Sequence, residues 1–413
     1  MDREMRHLRL VMAGLILLFA GHAVADTSTD EELDDLDRRI SSLEAEHGEF
    51  SVGGAAWLNY EYNNYDDQIQ DRLGDGRFDL FRMEARGSSG PWEISGQYRW
   101  YEYMDVVHHA WIGYNTEEDN AVRIGIHQVP FGLQPYASHS YWFGVPYYLG
   151  FEDDYQTGVT YLGEHGDGWD VQAGFYFNDA LATPGSNDRY AWNIITNDDL
   201  QSLSPDLPDE FAEQSNRQSN QLNLRLANTF FEETAPTEIG FSGQYGQLYN
   251  EATESTGDHH AWSLHSRTRF GEAEEWGLEL QYIDYQYNPE NPEGISDDAV
   301  LYGAFLFDSL AAADGEFYIA NITRDFAVDW GPVTHLDCYY DHSILNKSPA
   351  GWDDSVLQTL GCGVTAGPTY TFVDIIHSKN HNFMNRDPVT AFAQGEPGAG
   401  WETRFNINLG IYF

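Results

Sequence analysis

The sequence predicts an all-β protein: a transmembrane antiparallel β-barrel of about sixteen strands, preceded by a short coiled-coil-like helix. Three observations predict it. From residue 50 onward, segments of about ten residues alternate apolar and polar side chains, the length a tilted strand needs to cross a bilayer. Aromatic residues sit at the ends of the apolar faces, where interfacial girdles would lie. The connections alternate short and long, as in barrels with tight turns on one side of the membrane and loops on the other.

The elements follow in order. Arg3, Arg6 and Arg9 precede the apolar run LVMAGLILLFAG, and Ala23–Ala25 (AVA) supply small residues for cleavage, so residues 1–25 read as a signal peptide cut near Ala25. Residues 26–49 contain Leu33, Leu36, Ile40 and Leu43 at heptad-like steps, a small coiled coil or a solvated amphipathic stub. No later window holds the roughly 18 consecutive apolar residues of a membrane helix. The barrel then occupies 50–413. In PWEISGQYRW the apolar set is Trp92, Ile94, Tyr98 and Trp100; in GWDVQAGFYFN it is Trp169, Val171, Ala173, Phe175 and Phe177. NQLNLRLANTF and AWSLHSRTRF repeat the pattern, and the C-terminal RFNINLGIYF places Phe405, Ile407, Leu409, Ile411 and Phe413 on one face.

A soluble sandwich would also alternate, but only a closed barrel leaves no backbone unpaired in hydrocarbon. Both chain ends on one side of the membrane require an even strand count. Setting DAVLYGAFLF aside in an outer loop, about 288–314, restores that parity at about sixteen strands; eighteen follow if the 179–217 insert hides a hairpin.

Composition narrows function. A net charge of −46 repels nucleic acid. The acids crowd into presumptive loops, which fits either a cation-attracting pore or general adaptation to salt. G-x-S-x-G, H-E-x-x-H, a Walker loop and C-x-x-C are all missing from the sequence, so no enzymatic activity, metal or cofactor is expected. His108–His109 and His259–His260 are adjacent in strands, so neither pair is expected to converge on one site. Cys338 and Cys362 are equidistant from Ala350 and share the parity of apolar neighbours, which makes them cross-strand partners in a disulfide or two buried thiols.

The stretch VRIGIHQVPFGLQPYASHSYWFGVPYYLGFEDDYQTGVTY, with HHAWIGYN, AGPTYTFVDIIHSKN and the C-terminal strand, resembles the phosphate-selective porin O and P family of outer-membrane porins. The resemblance covers most of 50–413 and implies a Gram-negative outer-membrane homotrimer embedded in lipid, with residues 128–154 folded inward as a constriction loop. The expected function is passive diffusion of small hydrophilic solutes and ions, phosphate among them. A carbohydrate-selective porin, or an exported carbohydrate-binding β-protein, is the alternative.

Strand parity turns Arg82, Arg86, Arg99, Arg123, Arg225, Arg267, Arg269 and Arg404 toward the lumen, together with Glu84, Glu93, Asp170, Glu238, Glu279 and Asp337. The arginines then either pair with these acids across the wall or form stepping sites for anions. In the loop, Tyr141, Trp142, Phe143, Tyr147 and Tyr148 either pack against the wall or offer sugar rings a surface. His139, Glu152, Asp153 and Asp154 are expected to set the charge at the mouth.

Overall fold

The computed structural model describes residues 48–116, 120–179, 185–200, 207–384 and 388–413; the signal peptide and all but the end of the helical stub lie outside them. In chain order the strands are β1 Glu49–Asn63, β2 Asp75–Ser89, β3 Trp92–Tyr101, β4 Asp105–Asn115, β5 Ala121–Gln128, β6 Tyr155–His165, β7 Trp169–Asp179, β8 Asn193–Ile194, β9 Asn216–Phe230 and β10 Thr237–Asn250. They continue with β11 Thr256–Phe270, β12 Trp276–Asn288, β13 Ala299–Ala304, β14 Phe307–Ala312, β15 Asp314–Trp330, β16 Val333–Lys347, β17 Ser355–Ala366, β18 Thr369–Lys379 and β19 Glu402–Tyr412. All but β8, β13 and β14 form one closed antiparallel barrel of sixteen strands.

Closure falls to the two ends of the chain. β1 runs against β19 from Ala55 opposite Tyr412 to Asn63 opposite Arg404, and Gly54 and Phe413 exchange backbone hydrogen bonds of 2.9 and 3.1 Å. The parity of RFNINLGIYF follows from this: Arg404, Asn406 and Asn408 are buried inside, and Ile411 and Phe413 are exposed outside. DAVLYGAFLF lies in a loop, as its exclusion from the count requires, where β13 and β14 form a hairpin joined by β8 into a three-stranded sheet. The 179–217 insert contributes only β8 among its described residues, so the eighteen-strand alternative fails.

The outer surface is apolar where water-soluble proteins are polar. Leu58, Ile94, Ile112, Ile124, Leu222, Leu264 and Leu360 are exposed in a central belt, and Trp92, Trp100, Tyr114, Trp169, Phe230 and Trp330 lie nearer the strand ends. A continuous apolar girth of this kind needs lipid to cover it. No helix among the described residues is long and apolar enough to cross a membrane. Leu264 is 51% exposed; Leu264→Arg should cost about 2–4 kcal/mol in a bilayer, read as a lower urea midpoint when the barrel folds into vesicles.

Cys338 pairs with Cys362 in the β16–β17 register, Cα atoms 4.0 Å apart and sulfurs bonded, on the outward face beside exposed Tyr340 and Leu360. Unreduced protein should therefore take up no alkylating reagent in the denatured state and two equivalents after reduction, by intact mass. Uptake of two equivalents without reduction contradicts the bridge.

One local expectation needs correction. His108 is the extra residue of a β-bulge, with Gln97 opposite His109 and Tyr98 opposite Val107, so both imidazoles enter the lumen. Their Nδ1 atoms are 2.9 Å apart, His109 Nε2 is 2.8 Å from Ser95 Oγ, and the His108 ring packs on Tyr155 and Tyr190.

Candidate lumen site

The segment between β5 and β6 does not run over the rim. It crosses the interior of the barrel and is hydrogen-bonded to wall after wall. Gly132 sits at φ 63°, and a Cβ there would lie 2.1 Å from Gln281 Nε2, so only glycine brings this backbone onto the wall. Its N–H donates to Ser242 Oγ at 3.0 Å and its carbonyl accepts from Arg225 Nε at 2.9 Å. Arg267 donates to the carbonyls of Gln134 and Tyr136 at 2.8 and 3.1 Å, and Asn321 donates to that of Ala137 at 2.8 Å.

Asp341 on β16 is the strongest anchor. Its carboxylate accepts from the backbone N–H groups of His139 and Ser140 at 2.7 and 3.1 Å and lies 2.9 Å from His139 Nδ1. Burial disfavours charge on His139, but the Asp341 carboxylate more than offsets this and raises its pKa. Beyond this anchor the loop reaches the far side, where Tyr141 donates its hydroxyl to Asp79 of β2 and Arg404 of β19 lies 4.2 Å over the Trp142 ring.

The loop acids are held by hydrogen bonds. Glu152 accepts from the N–H groups of Ala137 and Ser138 and from Ser138 Oγ, folding the loop on itself. Asp153 accepts from the hydroxyl of Tyr190 at 2.7 Å, and Asp154 accepts from Gln156 at 2.9 Å. All three are buried. Burial pushes Glu152 up to about 7 and Asp153 up to about 6, both above the usual carboxylate range.

The aromatic residues divide likewise. Tyr147 and Tyr148 are buried, Tyr147 stacked 4.3 Å from Phe143 and Tyr148 packed on Trp192, His381, Phe383 and Phe392 of other loops. This cluster continues onto inward side chains at the loop ends of the strands, Ile283, Tyr285, Phe317, Leu345, Leu357 and Ile376 among them. Each such buried side chain contributes about 1.5–3 kcal/mol to holding the loops in the mouth. The signal for it was present in QYIDYQYN and FYIANI, where apolar residues occupy both parities toward the loop end.

Packing on that side leaves the opening on the other. A cavity of about 1080 Å3 remains between the loop and the wall of β1–β4 and β19. Here the two readings of the arginines separate by position. Arg225 pairs with Asp170 and Glu238, Arg267 with Glu279, Arg269 with Asp325 and Arg404 with Glu61. Of these, Arg225 and Arg267 also tether the loop. Arg82, Arg86, Arg99 and Arg123 form no ion pair among the described residues; Arg99 instead donates to Gln97 and Tyr101 and lies over Tyr190, and Arg123 lies over Trp111. Of the inward acids, Glu84 accepts from Gln97, Glu93 from Asn115, and Asp337 lies 2.7 Å from His335. Asp325, His335 and Asp337 are close enough to share a metal ion, but Arg269 and His335 already partner the two carboxylates.

No family model and no curated protein matches the chain. Solved structures do. OmpT, an outer membrane protein of Vibrio cholerae in a trimer form, aligns over 88% of this chain and 99% of its own at 13% identity and TM-score 0.52. The anion-selective porin of Comamonas acidovorans gives 88%, 99%, 13% and 0.52 for the same quantities. OprB of Pseudomonas putida aligns over 92% and 97% at 9% identity and TM-score 0.57. The chain has the porin fold. At these identities the likeness concerns backbone architecture, and the resemblance to the O and P porins rests on the residues quoted for it. Function has to be argued from the chain's own side chains.

Proposed function

We propose that the protein is an outer-membrane porin through which small hydrophilic solutes and ions diffuse passively, anions being favoured at the narrowest part. The observation that carries this reading is the open cavity bounded by the inward loop on one side and by unpaired Arg82, Arg86 and Arg99 on the other. Residues 128–154 act as the constriction, and Arg123 continues the cationic wall toward the short-turn end of β5. Guanidinium groups without carboxylate partners attract anions without closing on them, the condition for conduction rather than trapping. Phosphate belongs to the class admitted. The trimer known for the OmpT neighbour supports the same assembly here. A carbohydrate channel is the second reading: Tyr147 and Tyr148 are buried by packing and Tyr141 gives its hydroxyl to Asp79, while Trp142 and Phe143 line the cavity.

The test is insertion of the purified protein into a planar bilayer. Stepwise conductance, with heat-modifiable migration of a sheet-rich oligomer on gels, is the expected result. Extraction from cells without detergent and silence in the bilayer would return the protein to the carbohydrate-binding alternative.

A further inference from the structure

Arg82 and Arg99 stand directly opposite each other in the β2–β3 ladder, both facing the lumen. Like charges in that position repel. Among the described residues neither has a carboxylate partner, and Arg82 Nε is buried without a hydrogen bond. Two acids lining the same cavity receive donors of their own, Asp79 from Tyr141 and Asn408 and Glu84 from Gln97. Arg99 donates only to the neutral Gln97 and Tyr101, so among the described residues no acid neutralises either guanidinium. Aromatic rings surround them: the Arg82 guanidinium is 5.7 Å from the Trp57 ring and 5.4 Å from that of Tyr412, and Arg99 is 4.6 Å from that of Tyr190. Tyr136 and Phe372 line the same cavity.

We propose that this pair binds the carboxylate of a small aromatic acid, with the acid's ring lying among Trp57, Tyr412 and Tyr190. The inference rests on the porin reading and names the solute class. A guanidinium lying over a ring keeps its edge N–H groups for a carboxylate, while the neighbouring ring faces and edges accept a flat apolar body. Inorganic phosphate would gain nothing from the rings. A neutral sugar would leave both guanidinium charges without a counter-charge.

The experiment is block of KCl current through the full mature protein in planar bilayers by benzoate, acetate, inorganic phosphate and glucose. Benzoate should half-block at a concentration about tenfold or more below acetate, the factor that about 1.4 kcal/mol of ring contact supplies. Trp57→Leu should shrink the benzoate-to-acetate ratio, and Arg82→Gln with Arg99→Gln should weaken benzoate block at least about tenfold relative to each variant's own current. Equal block by benzoate and acetate overturns the proposal while leaving the porin intact, as does tighter block by phosphate or glucose. Absence of any current overturns the porin reading itself. The wild-type series alone decides if the variants fail to fold.

Discussion

Replacing Asp341 with alanine raises single-channel conductance and current noise. The carboxylate receives three hydrogen bonds from the inward loop, two from backbone N–H groups at 2.7 and 3.1 Å and one from His139. Alanine leaves these donors buried without an acceptor, at about 1–3 kcal/mol each. The middle of the loop, residues 139–140, then loses its hold on β16. The segment before it stays bound through Gly132, Arg225 and Arg267, so the barrel still folds and only the constriction loosens. Asp341→Asn is the informative companion, since it keeps the shape and still accepts from backbone, and should fall between wild type and Asp341→Ala. Unchanged conductance in both would mean that the loop does not limit the channel.

Reversing the charge of Arg82 and Arg99 to glutamate moves ion preference from anions toward cations. A unit charge contributes about 1 kcal/mol at ~4 Å in bulk water, and more where the wall lowers the local dielectric. Converted through the tenfold-per-1.4 kcal/mol relation, that is about fivefold in local ion occupancy per charge, and it acts twice at one level of the pore. The same substitutions at Arg225 and Arg267 should instead disturb the loop, because those side chains hold its carbonyls and are paired with Asp170, Glu238 and Glu279. The contrast between the two pairs is measured as reversal potential against mean conductance. High salt should shrink the first effect, since the Debye length falls to about 3 Å at 1 M.

Much of the architecture could be read from local pattern because a strand has a side-chain period of two. The faces of β3, β7 and β19, the setting aside of DAVLYGAFLF and the symmetry of Cys338 and Cys362 about Ala350 all follow from that period and from turn spacing. Parity also turned the eight arginines inward. Which of them are neutralised was not legible, because pairing depends on cross-strand register and on the loop: Arg225 meets an acid from each neighbouring strand and Gly132 from a distant loop. A single inserted residue at His108 reversed the expectation for the histidine pair. Asp341 carried no motif; its importance comes from contacts with His139, 202 residues away. For the aromatic loop residues the sequence left packing and a sugar surface both open, and Glu152 was expected at the mouth; tertiary packing of several loops buried Tyr147, Tyr148 and Glu152.

Acidic composition gives the central claim its sharpest test. A chain of net charge −46 would, by bulk charge alone, favour cations. The unpaired arginines at the cavity argue the reverse, because selectivity is set where the path is narrowest and least screened. The deciding measurement is the zero-current potential of wild-type channels under a KCl gradient. Anion preference, abolished by Arg82→Glu with Arg99→Glu, is the predicted result; cation preference would place control in the acidic outer loops and contradict the account of this lumen.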